Sequence, residues 1–201
     1  MISQEPNKTP SVNGLVLAGG KSRRMGTAKD LMNWHGKEQR YFAADLLTEF
    51  CDDVFISCRQ DQLENFDTAY NALTDTFLDM GPFGGILSAL RFQRDKAWLV
   101  VACDLPLLDK KSLQILMQSR DPEKAATTYK SPFDGLPEPL ITIWEPKSYP
   151  LLLNFLGIGN TCPRKVLINS DTLILEPHDP DALMNVNTPE EALKAQDILK
   201  R

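Results

Sequence analysis

The sequence has only two histidines, His35 and His178, and its four cysteines, Cys51, Cys58, Cys103 and Cys162, form no CxxC pair. Those absences exclude a zinc finger or ribbon, which needs cysteine and histidine ligands at short, fixed spacings. Scattered cysteines act as small core residues in a reducing compartment. The segment 1–12 is polar and carries two prolines, so it has no apolar leader region. No apolar run approaches the roughly 18 residues of a membrane-spanning helix. A soluble, cytoplasmic protein with no membrane partner is expected. Positive charge is also in deficit: a net charge of -5 weighs against a nucleic-acid partner, which requires a basic stripe. With no repeat, linker or low-complexity tract, the expectation is a flexible arm over 1–12, one domain over 13–201, and a monomer.

What the sequence does contain is an alternation of short apolar runs and helical patterns. Gly14-Leu15-Val16-Leu17-Ala18 and Ala97-Trp98-Leu99-Val100-Val101-Ala102 are apolar on both faces, as strands of a helix-covered parallel sheet are. Further strands are predicted at 53–57, through Asn71 and Leu73, and at 125–129, 140–144 and 173–175. A helix follows Gly36, with Ala43, Leu46, Leu47 and Phe50 on one face. Another opens at Gly81-Pro82-Phe83-Gly84-Gly85 and turns Ile86, Leu87 and Leu90 inward. Helices are also predicted over 110–119, 147–156 and 163–168. Thr188-Pro189-Glu190-Glu191 is a capping box that starts a last one. The alternation predicts an α/β fold: a Rossmann-like, doubly wound, mostly parallel sheet with helices on both faces and right-handed crossovers.

The most informative stretch is Leu17-Ala18-Gly19-Gly20-Lys21-Ser22-Arg23-Arg24-Met25-Gly26, with Lys29 just beyond. A Walker A loop would need glycine at position 15, where Leu15 stands, and no GxGxxG follows the strand. A bare glycine pair is equally a tight strand-to-helix turn, and scattered cations are equally a solvated face. Here Lys21, Arg23, Arg24 and Lys29 follow a buried strand, where α/β folds bind ligands. Two glycines let the backbone approach a phosphate, and guanidinium and ammonium groups suit a triphosphate. Asp104 ends the most apolar strand. Alone it reads as a helix cap or a metal ligand; beside such a loop, the Mg²⁺ ligand is favoured, because hard cations take carboxylate and phosphate oxygens. Asp75 reads as an Asx turn or a ligand contact.

LAGGKSRRMG followed by lysine resembles the signature of the molybdenum cofactor guanylyltransferase family. Cys103-Asp104-Leu105-Pro106 resembles that family's metal-binding motif, and the Gly81-Pro82-Phe83 block its glycine-proline-hydrophobic element. Pro139-Leu140 and Asn185-Val186-Asn187-Thr188-Pro189-Glu190 resemble elements on the cofactor side, so the likeness runs from about Gly14 to Ala195. The resemblance implies GTP bound by Leu17, Ala18, Gly19, Gly20, Lys29, Ser57, Asp75 and Asp104. It implies catalysis by Arg24, Lys29 and Asp104, with Asp104 holding Mg²⁺. It also implies molybdopterin at Pro139, Asn185 and Asn187, and a downstream molybdoenzyme or chaperone as recipient. The implied reaction moves GMP from GTP to the molybdopterin phosphate and releases pyrophosphate. A cytidylyltransferase, a sugar-phosphate nucleotidyltransferase and a non-catalytic nucleotide-binding module are the alternatives. The second glycine of the pair favours GTP, since the cytidylyl branch tends to alanine there. Three positions depart from the pattern: Ala28 where aspartate is common, Glu38 where proline is usual, and Ser57 where asparagine often meets the nucleotide. His35 and His178 are expected at the surface, and Trp34, Trp98 and Trp144 in packing.

Overall fold

The structure is a computed structural model that describes residues 9–18 and 29–200. Gly19, Gly20, Arg24 and the rest of the loop 19–28 lie outside the described residues, as does the side chain of Lys29. The strands are β1 (Val12–Leu17), β2 (Val54–Cys58), β3 (Asn71–Thr74), β4 (Ala97–Ala102), β5 (Ala126–Lys130), β6 (Pro137–Trp144) and β7 (Thr172–Leu175). The helices are α1 (Gln39–Thr48), α2 (Pro82–Phe92), α3 (Lys110–Gln118), α4 (Ser148–Gly157), α5 (Pro163–Ile168) and α6 (Pro189–Leu199). β1 begins at Val12, which the sequence pattern had placed in the arm. Among the described residues three 3₁₀ turns, Lys29–Leu31, Gln60–Asn65 and Asp181–Leu183, are too short to show a hydrophobic period, and the sequence pattern does not mark them.

The strands form one sheet in the order β3-β2-β1-β4-β6-β5-β7. Chain order runs outward from β1 to β3, then returns to place β4 on the other side of β1. The period-2 alternation of the central strands sorts their side chains between two cores. Val16, Leu99 and Val101 pack with Ala43, Ala44 and Leu47 of α1 and with Leu113 and Leu116 of α3. Leu15, Leu17, Trp98 and Val100 pack on the opposite face with Phe83, Ile86, Leu87 and Leu90 of α2, Leu152 of α4 and Leu167 of α5. The sheet is therefore covered on both sides, as the continuous apolar runs of β1 and β4 require. Trp98 and Trp144 are fully buried packing residues, and Trp34 packs against the α6 cluster.

One strand departs from the simple alternating pattern. β6 runs antiparallel to both β4 and β5. Its connection to β5 spans only residues 131–136, far short of the dozen or more residues that a parallel crossover needs, so the pair closes as a hairpin.

The helix α2 is anchored by glycines whose missing side chains are required. Its N-cap Gly81 has φ 56°, in the left-handed region that favours glycine. A Cβ at Gly84 would run into the Phe77 carbonyl oxygen. Alanine in a helix gains about 1 kcal/mol over glycine, but overpacking against backbone costs about 1–3 kcal/mol or more. Gly84→Ala should therefore lower stability by about 1–2 kcal/mol in urea denaturation, despite the better helix propensity; an unchanged or higher midpoint would refute this packing account.

Candidate active site

At the carboxyl edge of the sheet, backbone bonds draw the ends of β1, β2, β3 and β4 together. The Ala18 amide donates to the Ser57 carbonyl at 3.3 Å, and the Cys103 amide donates to the Leu17 carbonyl at 3.2 Å. The Asp75 amide donates to the Cys58 carbonyl at 3.1 Å. Leu17, Ala18, Ser57 and Asp75, four residues expected to meet a nucleotide, thus converge. The buried Ser57 hydroxyl donates to Asp75 Oδ1 at 2.7 Å. Ser88 of α2 accepts from the Thr76 amide at 2.8 Å, which holds the segment after Asp75 against the helix. Gly85 lets α2 come this close, because a Cβ there would stand 2.6 Å from Leu17 Cδ2 and 3.0 Å from Ser57 Oγ. Burial pushes the Asp75 carboxyl above its ordinary range, and the Ser57 bond and the Arg59 charge oppose the shift. A carboxylate kept partly desolvated at the end of a strand is a candidate for a functional role.

The segment carrying Lys29 is fastened from the first turn of α1. Asp30, 3% exposed, pairs with Arg40 Nη1 at 3.5 Å. Arg40 is itself buried, bonded to Glu38 at 2.8 Å, and lies over the Tyr41 ring at 4.6 Å. His35, expected as a surface residue, is instead half-buried. Its ring stacks on Phe42 with centroids 3.7 Å apart, and Nε2 lies 2.8 Å from the Pro106 carbonyl oxygen. The ring thereby ties the stretch after Lys29 to the loop after Asp104. His178 is exposed, as expected.

On the other side of β4 lies a cleft of about 380 Å³ lined by Asp104, Glu138, Pro139, Leu140, Cys162, Pro163, Arg164, Asn185 and Asn187. It brings Asp104 together with Pro139, Asn185 and Asn187, the residues expected on the acceptor side. The Val186 amide donates to the Asp104 carbonyl at 2.8 Å, so the Asn185–Asn187 turn is stitched to the end of β4. Beyond it, the Glu191 carboxylate accepts from the Asn187 amide at 2.6 Å and from the Thr188 amide at 3.0 Å, completing the capping box of α6. Asn185 Oδ1 is buried and finds no hydrogen-bond donor among the described residues.

Sequence inspection missed Glu138, Cys162 and Arg164 in this cleft and Arg59 beside Asp75. Glu138 adjoins the flagged Pro139, and Arg59 follows the flagged Ser57 by two positions, so adjacency to motif residues was the available signal. Arg164 sits in the first turn of α5, distant in sequence from every motif, and no local signal marks it. Glu138 is 3% exposed; its carboxyl is raised by burial and by the Asp104 charge, and Arg164 opposes the shift.

Residues 14–173 match the family model for the MobA-like NTP transferase domain. The chain belongs to that family. It is 32% identical over 198 residues to a molybdenum cofactor guanylyltransferase of Pseudomonas fluorescens, covering 94% of this chain and 95% of that one. It is 36% identical over 195 residues to a molybdenum cofactor biosynthesis bifunctional protein of Synechocystis, and spans 54% of that longer protein. In fold it resembles the crystal structure of molybdopterin-guanine dinucleotide biosynthesis protein A from Archaeoglobus fulgidus, with a TM-score of 0.78 at 22% identity, covering 94% of this chain and 98% of that one.

Because the folded-state pKa of Asp75 is raised, its ionisation costs stability: the penalty is absent below the ordinary value of 3.8 and grows as pH rises through the folded value. Asp75→Asn keeps an acceptor for Ser57 and removes the buried charge. It should raise the melting temperature at pH 7, by roughly 2–4 °C per kcal/mol relieved, with the gain narrowing as pH falls toward 3.8. A lower melting temperature at pH 7 would contradict the cause assigned here.

Proposed function

We propose that this protein transfers GMP from GTP to the terminal phosphate of molybdopterin, forming the guanine dinucleotide cofactor and pyrophosphate. The observation that carries the proposal is the placement of Asp104 between two clusters. Leu17, Ser57 and Asp75 lie toward β1–β3, and Pro139, Asn185 and Asn187 lie toward β6 and α6. An enzyme that joins a nucleotide to a second substrate needs this arrangement, with the shared carboxylate where the two phosphates meet. In a MobA-like chain the nucleotide belongs on the first-loop side and the molybdopterin on the other.

An oxygen of the acceptor phosphate forms a bond to the α-phosphorus of GTP as the bond from that phosphorus to the β-bridging oxygen breaks. The acceptor is already largely ionised near neutral pH, with a second phosphate pKa of about 6, so no general base is required. Asp75, oriented by the Ser57 hydroxyl, presents an acceptor to the nucleoside. Lys29, on the turn that Asp30 and Arg40 fasten, and Arg24 balance charge on the triphosphate. The cleft offers hard oxygen donors for Mg²⁺ in the Asp104 carboxylate and the Asn185 amide oxygen, which finds no hydrogen-bond donor among the described residues. Among the described residues no group of three or more His, Cys, Asp or Glu could cage a metal. Mg²⁺ takes one or two carboxylates and completes its shell with phosphates and water. When bound, the ion supplies positive charge to the phosphate oxygens.

Removing one charge-stabilising group costs about 10²–10³ in turnover, and Asp104→Ala and Lys29→Ala should each lose about that much in a guanylyl-transfer assay. Calorimetry with Mg²⁺ should show GTP preferred over CTP, ATP and UTP, with binding weakened in Asp104→Ala. Wild-type turnover in both variants would overturn the site; a preference for CTP would replace guanylyl by cytidylyl transfer.

A further inference from the structure

The cleft beyond Asp104 contains an ion pair that the transfer chemistry does not use. Glu138, from the start of β6, is 3% exposed, and its Oε2 accepts from Arg164 Nη2 at 3.2 Å. Arg164, from the first turn of α5, also donates through Nη1 to Asp134 Oδ2 at 2.6 Å, in the β5–β6 connection. Two elements and a loop thus hold the guanidinium, and both members of the pair line the cleft with Asp104, Asn185 and Asn187. A buried carboxylate lining the cleft of an anionic acceptor is poor electrostatics for phosphate capture, so its use lies elsewhere on that molecule.

The chemistry of the pair indicates where. A carboxylate is acceptor-only with about four lone-pair sites, and a guanidinium is donor-only with five N–H groups. Arg164 and a 3.4 Å contact from the Leu140 amide occupy part of the Glu138 capacity. Side by side the two groups present acceptor, acceptor, donor. The 2-amino-4-oxopyrimidine edge, which pterin and guanine share, presents the reverse: an amino N–H, a ring N–H and a carbonyl oxygen. Such paired, charge-assisted bonds are strong and directional.

We propose that Glu138 and Arg164 together recognise the 2-amino-4-oxopyrimidine edge of the acceptor pterin and set the enzyme's acceptor specificity. This rests on molybdopterin as the acceptor. The pterin is favoured over guanine because the pair lies on the Asn185 side of Asp104, with the Ser57–Asp75 pair on the other side of β1. At about 380 Å³ the cleft falls in the range of small-molecule sites.

The test is a ligand swap with the full-length chain. Lumazine carries a 2-oxo group where pterin carries the 2-amino group, so it replaces a donor with an acceptor. Binding of 6-hydroxymethylpterin and its lumazine counterpart is followed by ligand fluorescence, and GTP binding by calorimetry, for wild type, Glu138→Gln and Arg164→Met. Wild type should prefer the pterin. Glu138→Gln, which can donate to a 2-oxo group, should lose about 10–100-fold of pterin affinity, as a mispaired bidentate contact does, and should bind lumazine as well or better. Arg164→Met should weaken both ligands. GTP affinity should be unchanged throughout, and thermal melting verifies that each variant is folded. An unchanged pterin-to-lumazine ratio in folded Glu138→Gln overturns the proposal, as does failure of wild type to bind the pterin. A loss confined to GTP assigns the pair to guanine and overturns it equally. If the pterin swap holds while wild type transfers no GMP, the failure belongs to the proposed reaction and not to this pair.

Discussion

The structure depends on the parallel pairing of β1 with β4, in register from Val12 opposite Ala97 to Leu17 opposite Ala102. These two strands are neighbours in space, yet the chain leaves β1 toward β2 and β3 and leaves β4 toward β5, β6 and β7, at opposite edges of the sheet. α1 follows β1 onto one face, and α2 precedes β4 on the other. Where connections diverge in this way, a crevice opens at the carboxyl ends, and α/β proteins bind ligands there. Leu17 and Asp104 reach that crevice because the register brings both strands to an end at the same level. A shift of one residue would turn the slipped strand over, sending its side chains into the opposite core.

Around this crevice the protein keeps acidic groups desolvated at a cost to stability. Asp30, Asp75 and Glu138 each have a carboxyl raised by burial, and each is partly compensated by an arginine, respectively Arg40, Arg59 and Arg164. Such pairs are weak sources of net stability, because desolvation offsets most of the attraction. Their value lies in direction. A buried carboxylate with one lone pair committed has few orientations left, and a ligand edge can be read against it. Arg40 from the start of α1 bonds Asp30, and Arg164 from the start of α5 bonds Glu138, so each of these pairs fixes one element relative to the crevice, whereas Arg59, just past β2, acts on Asp75 through its charge.

The segment after Lys29 and the loop after Asp104 are likewise held by side chains from outside them. Arg40 reaches back to Asp30, next to Lys29, and the ring of His35 spans from Phe42 to the Pro106 carbonyl beyond Asp104. Both tethers come from the stretch just before and within the start of α1. That short region therefore couples the segment around Asp30 to the loop after β4.

Much of this was legible in the chain alone. Apolar runs with period 2, the glycine-proline start of α2 and the Thr188–Glu191 capping box gave the strands, most helix positions and the doubly wound class, because each is a local consequence of side-chain period or of a missing Cβ. Asp104 could likewise be named from its place at the end of the most apolar strand, whereas Leu17, Ser57, Asp75, Pro139, Asn185 and Asn187 are named through the resemblance to the guanylyltransferase family. The reversal of β6 could not be recovered from periodicity, which is the same for either strand direction; only the shortness of the 131–136 connection forces it. Nor could sequence reveal that Glu138 and Arg164, twenty-six positions apart, or Arg40 and Asp30 across a turn, share buried charge. Sequence period specifies which face a residue occupies, whereas the partner it meets there is decided by how the layers stack, and the chemistry of the cleft depends on that partner.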